Sequence, residues 1–125
     1  RFLHGYALQI RLEFEAEYLD ERNWVVDFGS LKSLKGIFEE AFDHKTLVAT
    51  DDPHFTTFKT LDQMGIIQMR EVDATGCEAL AATIFDITST WLKDAGYAPR
   101  VYLAAVEVSE HEGNSAIYYE RHNDA

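Results

Sequence analysis

The sequence predicts an α+β fold in which one antiparallel sheet carries two helices packed on a single face. Period-two apolar patterning near both ends of the chain supplies the strands, and two stretches of helical spacing lie between them. The final two strands are separated only by a short polar turn, which makes them an antiparallel hairpin. Helices on one face of such a sheet are the economical arrangement.

Each element has its own signal. Tyr6, Leu8, Ile10, Leu12, Phe14 and Ala16 are apolar and alternate with Gln9, Arg11, Glu13, Glu15 and Glu17, as in a strand with one buried face. After the polar turn Asp20-Glu21-Arg22-Asn23, Trp24 to Phe28 reads as a short extended run. Ser30 then stands where a helix N-cap belongs. Leu31, Leu34, Ile37, Phe38, Ala41 and Phe42 follow at helical spacing over about three turns, and Asp43 and His44 sit just past them. Asp51-Asp52-Pro53 marks a turn, Phe55 to Met64 fits a short helix stopped by Gly65, and Ile66 to Val72 is ambiguous.

A second long helix is clearer. Thr75-Gly76-Cys77-Glu78 has the form of a capping box, and Leu80, Ala81, Ile84, Phe85, Thr88, Trp91 and Leu92 share a face. Gly96 and Pro99 end it. Tyr102, Ala104, Val106 and Val108 alternate along a strong strand, Glu112-Gly113-Asn114 turns the chain, and Ser115 to Arg121 closes the sheet. Residues 1–125 read as a single domain without repeats, and the abrupt start of the first strand at Arg1 leads us to expect a further strand upstream.

Composition narrows the function classes. A chain of 125 residues with 46% hydrophobic and 13% aromatic content can build one core. Its 22 acidic against 11 basic side chains, a formal charge of −11, oppose binding to a phosphate backbone, so nucleic acid is not an expected partner. No apolar run approaches the roughly 18 residues of a membrane helix, and no leader opens the chain. The expectation is a soluble cytoplasmic protein. Its one cysteine, Cys77, fits a reducing compartment.

Several side chains could carry chemistry. His4 and Tyr6 leave the same apolar face of the opening strand; two imidazoles there would form half a zinc site, but a phenol is a poor ligand at neutral pH. From the spacing alone His4 reads as a satisfied, partly buried histidine. Asp43-His44 is either a helix C-terminal cap or a carboxylate tuning an imidazole for proton transfer. By strand parity Glu110 points to the buried side, where a salt bridge or the paired N–H donors of a guanidine-like heterocycle would satisfy it. Glu78 is the acid of the expected capping box. Cys77 is either a buried inert thiol or one activated by a helix N-terminus.

Five segments in order resemble the 6-pyruvoyl-tetrahydropterin synthase and 6-carboxy-tetrahydropterin synthase family. They are Leu3-His4-Gly5-Tyr6, Trp24 through Lys32, Phe42-Asp43-His44-Lys45-Thr46-Leu47, Gly76-Cys77-Glu78-Ala79-Leu80-Ala81, and Val106 through Glu110 with Ile117-Tyr118. The resemblance implies the tunnelling fold and a lyase-type enzyme acting on 7,8-dihydroneopterin triphosphate, with zinc held by three histidines. It implies His4 as a zinc ligand, Asp43 and His44 as a proton-transfer pair, Glu110 as the anchor of the pterin ring, and Cys77 and Glu78 as residues on the pterin side of the pocket. It also implies a homo-oligomer, a hexamer of stacked rings, whose sites are completed between subunits.

Tyr6 departs from the family's His-Gly-His pattern, and the remaining zinc histidine and catalytic cysteine would fall before Arg1. A degenerate oligomeric binder of pterins or purines is therefore the alternative expectation, and an assembly module a third. The pathway could be queuosine, folate-like or biopterin-like. Lys45 and Arg121 are the cations expected near a triphosphate.

Overall fold

The computed structural model describes residues 7–111 and 114–120. The first alternating segment forms a strand over Gln9–Ala16 (β1), whose even-numbered side chains are half-buried and whose odd-numbered ones are exposed. Trp24 to Phe28, expected to be extended, is instead a loop closed by two aspartates. Asp20 accepts the amides of Arg22 at 2.8 Å and Trp24 at 2.9 Å. The Trp24 bond is the main cause holding the Asp20 carboxyl below its usual range. Asp27 caps a 3₁₀ turn at Phe28–Ser30 by accepting from Gly29 at 2.9 Å.

The first helix, α1, spans Leu31–Phe42. Ser30 does not cap it with its side chain; the hydroxyl is bonded at 2.7 Å to the Asp27 carbonyl and at 2.6 Å to the Tyr97 hydroxyl. Leu34 and Ala41 are buried, whereas Ile37, expected on the apolar face, is exposed. The ambiguous middle of the chain resolves into a parallel pair, Thr46–Ala49 (β2) and Met69–Val72 (β3), joined through a helix at Phe55–Gln63 (α2). Gly65 follows that helix at φ +77°, a conformation glycine adopts without steric cost.

The long helix α3 covers Cys77–Asp94, and the hairpin strands are Val101–His111 (β4) and Asn114–Tyr119 (β5). The antiparallel sheet has the order β1-β4-β5. The predicted fold class therefore holds, the short helix expected before Gly65 forms as α2, and a small parallel sheet is added. The capping box does not form: Gly76 is the N-cap, no side chain caps it, and Cys77 is the first helical residue. Glu78 consequently sits one position too early for a reciprocal bond, although its charge still complements the positive end of the helix.

The core is the seam between α3 and the sheet. Leu80, Ala81, Ile84, Trp91 and Leu92 pack with Val101, Leu103, Val106 and Val108. Trp91 also donates to Ser33 Oγ at 2.8 Å, tying α3 to α1. The buried positions of β4 change parity, from Val101 and Leu103 to Val106 and Val108, so the uniform even-numbered alternation expected for this strand does not hold. The pairing shows why: Phe14 lies opposite Leu103 but Glu13 lies opposite Ala105, leaving Ala104 as the extra residue of a bulge. Tyr102 consequently faces the other side, where its hydroxyl donates to Glu15 Oε2 at 2.9 Å.

Two substitutions in α3 test this packing in opposite directions. Ile84 is fully buried, and Ile84→Ala is expected to lower unfolding stability by about 2–5 kcal/mol through lost burial and a cavity. Thr88 is also fully buried, and its hydroxyl has no hydrogen-bond partner among the described residues. Thr88→Val is expected to raise stability by about 1 kcal/mol, because it removes an unsatisfied polar atom at nearly constant volume. Urea titration measures both, and a destabilised Thr88→Val would contradict the packing described.

Candidate functional site

A cavity of about 750 Å³ opens between the start of β1, the second half of α1 and the N-terminal end of α3. Leu8, Ile10, Phe38, Phe42 and Leu80 form its apolar wall. Asp43, His44, Lys45 and Glu110 also line it, so residues far apart in the sequence meet at one opening.

Backbone geometry puts Asp43 and His44 there. Asp43 is the C-cap of α1, its amide bonded to the Glu39 carbonyl at 2.9 Å, and His44 follows in the left-handed region at φ +56°. That conformation is uncommon for a residue with a Cβ. It turns the chain from α1 into β2, and the Lys45 amide reaches back to the Phe42 carbonyl at 3.3 Å. The helix end is thus closed by backbone bonds and not by the Asp43 or His44 side chains. His44 Nε2 lies 3.7 Å from Asp43 Oδ2, with the side chains 90% and 60% exposed, so in a single chain solvent screens their attraction.

Glu110 reaches the cavity through a second irregularity. The β4–β5 register passes from Ser109 opposite Ser115 to His111 opposite Asn114, which leaves Glu110 without a partner on β5. Bulges of this kind re-aim a side chain at the end of a pairing. The parity expected from the sequence and the observed placement agree on the outcome: Glu110 is half-buried and faces the cavity.

Cys77 does not line the cavity. It is buried behind the wall at the first turn of α3, between Thr75 and Leu80, which do line it. Burial raises the thiol pKa most, and the negative charges of Glu110 and Glu78 add to the shift. The helix N-terminus therefore does not activate this cysteine. Glu78 is exposed on the same turn, its carboxylate folded toward Gly76, and it is not among the cavity residues.

Lys45 lies at the cavity edge and donates to Gln68 Oε1 at 2.8 Å. Lys35 and Glu39, not singled out in the sequence, also line the cavity as an i,i+4 pair 3.9 Å apart. Their spacing on the face of α1 beside Phe38 and Phe42 was the available signal. His4, Tyr6 and Arg121 lie outside the described residues. Among the described residues no group of three or more His, Cys, Asp or Glu side chains could hold a metal ion. Among the described residues no helix is long and apolar enough to cross a membrane.

The protonation of Cys77 has a measurable sign. A thiol pKa raised by folding contributes stability below the unfolded value of about 8.5, and that contribution is lost as pH climbs toward the folded value. At pH 8 the folded chain is expected to react with iodoacetamide far more slowly than the chain in urea. Equal rates would contradict the burial and the carboxylate neighbours assigned to Cys77.

Comparison with known proteins places these features in context. Residues 1–121 match the family described as 6-pyruvoyl tetrahydropterin synthase. A protein of Aquifex aeolicus named 6-carboxy-5,6,7,8-tetrahydropterin synthase is 29% identical over 121 residues, covering 94% of this chain and 74% of that protein. The crystal structure of an uncharacterized protein from Wolinella succinogenes superposes with a TM-score of 0.81 at 20% identity, over 97% of this chain and 81% of that one. At that identity the second likeness speaks for the fold alone.

Proposed function

Because this chain belongs to the 6-pyruvoyl tetrahydropterin synthase family, we propose that it is a tetrahydropterin synthase-type lyase acting on 7,8-dihydroneopterin triphosphate. The observation that carries the reading is the presence of Glu110, Asp43 and His44 on the wall of one cavity. Family membership and the name of the Aquifex relative support a tetrahydropterin synthase-type function; the substrate and the residue roles are our reading.

In this reading the half-buried Glu110 carboxylate accepts the paired N–H donors of the pterin ring, a geometry that two carboxylate oxygens match. The apolar side chains Leu8, Phe38 and Leu80 exclude water around the ring. His44, at the open end of the cavity, moves a proton to or from the substrate side chain, and Asp43 beside it steadies the imidazolium. Lys45, and Arg121 outside the described residues, offer positive charge to the phosphates.

The described residues do not by themselves fit zinc, since they contain no three-donor cluster, and no step here passes through a metal. His4, outside the described residues, is the metal ligand we propose. Zinc would supply Lewis-acid polarisation of the substrate side chain. Among the described residues the sheet ends at β1 on one side and β5 on the other, and we propose that the chain assembles as a homo-oligomer through such sheet edges.

Turnover of 7,8-dihydroneopterin triphosphate tests the roles separately. His44→Ala is expected to lower kcat by about 10²–10⁴-fold, the usual contribution of a positioned acid–base group, and Asp43→Ala by a smaller factor. Glu110→Ala is expected to raise KM by at least about tenfold. Unchanged turnover in all three variants would overturn the assignment.

Metal analysis adds an independent check on the alternative suggested by Tyr6. Zinc bound by the purified chain and lost in His4→Ala fits the enzyme. Pterin binding that needs Glu110, without zinc and without turnover, would identify a degenerate binder.

A further inference from the structure

We infer that Arg70 binds the phosphate chain of the ligand: its guanidinium, stacked on a wall residue of the cavity and otherwise unpartnered among the described residues, favours a phosphorylated ring compound over the bare ring. The inference rests on the reading of this cavity as a pterin triphosphate site and names a specificity-determining residue for it.

Arg70 lies on β3 in register with Leu47 of β2, and Leu47 lines the cavity. Residues in register on adjacent strands project to the same face, so Arg70 is carried to the cavity side of the small sheet. Its guanidinium carbon sits 5.6 Å from the centroid of the Phe42 ring, another wall residue. Arg70 is not itself a lining residue, so the part of a ligand within its reach is what projects beyond the cavity, not the ring inside it. Lys45, whose ammonium donates to Gln68 at 2.8 Å, follows His44 and precedes β2 at the same end of the small sheet. Phosphates that leave the cavity past His44 therefore meet two cations.

A half-buried cation needs a counter-charge or hydrogen-bond acceptors. Arg70 is half-buried and has neither: Nε is buried without a partner, and among the described residues the guanidinium enters no hydrogen bond or ion pair. With 22 acidic side chains in the sequence, carboxylates are not scarce, yet none is paired with it among the described residues. The Phe42 ring meets the flat face of the guanidinium and leaves its in-plane donors free. Those donors form a rigid fork that matches two phosphate oxygens at once. Lys45 supplies a point charge beside it, so the directional part of the recognition falls to Arg70.

Titration calorimetry of the full chain with inorganic tripolyphosphate, which carries no ring, reads the anion site directly. The parent is expected to bind it, and Arg70→Gln to bind it about ten- to hundredfold more weakly. Arg70→Lys keeps the charge and the stem packed on Phe42 but not the fork, so it is expected to fall between the two even if Arg70→Gln loses stability. In turnover, Arg70→Gln is expected to raise KM for 7,8-dihydroneopterin triphosphate by a similar factor, while Kd for unphosphorylated 7,8-dihydroneopterin stays within about twofold of the parent.

A parent chain that binds no tripolyphosphate overturns the inference, as does equal affinity in all three chains. A KM that does not move overturns it whatever the free anion does, because the anion would then not be the substrate's. An altered oligomeric mass in Arg70→Gln with unchanged tripolyphosphate affinity also overturns it, by giving the guanidinium to a carboxylate of another copy. Tripolyphosphate binding that is lost in Arg70→Gln, in a chain that binds no pterin, sinks the functional reading and upholds Arg70 as an anion-binding residue.

Discussion

The seam between α3 and β4 depends on one extra residue, Ala104. Side chains on a strand alternate between faces, so Val101 and Leu103 could not share a face with Val106 and Val108 in a regular strand. The bulge absorbs one position, and all four then meet Ile84, Leu92 and their neighbours on α3. The opposing strands confirm the common face: Ile10 and Leu12 of β1, with Ala116 and Tyr118 of β5, lie opposite Val108 and Val106. Glu110, two positions beyond Val108, inherits its direction from this arrangement. Without the bulge, burying Val101 and Leu103 would send Glu110 to the solvent face.

A similar economy operates at the other wall of the cavity. The end of α1 is closed by backbone bonds, and the left-handed turn at His44 delivers two polar side chains to the opening. Strain of this sort costs roughly 1–3 kcal/mol and persists where the surroundings fix it. Here β2 and β3 fix it, paired from Thr46 and Met69 onward, with Lys45 bonded to Gln68 alongside. The small parallel sheet thus supports the site, and it explains why a four-residue strand survives beside a much larger antiparallel sheet.

Much of this was legible in the sequence where a period repeats for long enough. The alternation of β1, the face of α3 and the short helix stopped by Gly65 all stand. Three things were not legible, each for a physical reason. A bulge changes parity without changing composition, so Tyr102 and Ala104 looked like core residues. Four-residue strands such as β2 and β3 are too short for any period to show. The capping box at Thr75 failed because helix α3 starts one residue later than that pattern requires, with Cys77 buried as its first residue. At the site, Glu110 and Asp43-His44 were readable as types and positions, but their meeting at one cavity is a property of the fold. Lys35 and Glu39 carried only a weak signal, their i,i+4 spacing, because a charged pair on a helix is more often a solvated face.

The acidic balance of the chain also takes on a narrower meaning. A formal charge of −11 argues against a polyanionic macromolecule, yet Lys35 and Lys45 both stand at the cavity, where positive charge would serve a small phosphorylated ligand. The central claim is that ring, proton relay and phosphates share this one opening. A crystal structure of the chain with 7,8-dihydroneopterin triphosphate tests it most directly. The account predicts ring nitrogens within hydrogen-bonding distance of the Glu110 carboxylate and the propyl side chain beside His44. A ring bound elsewhere, with Glu110 turned away from it, would contradict the account.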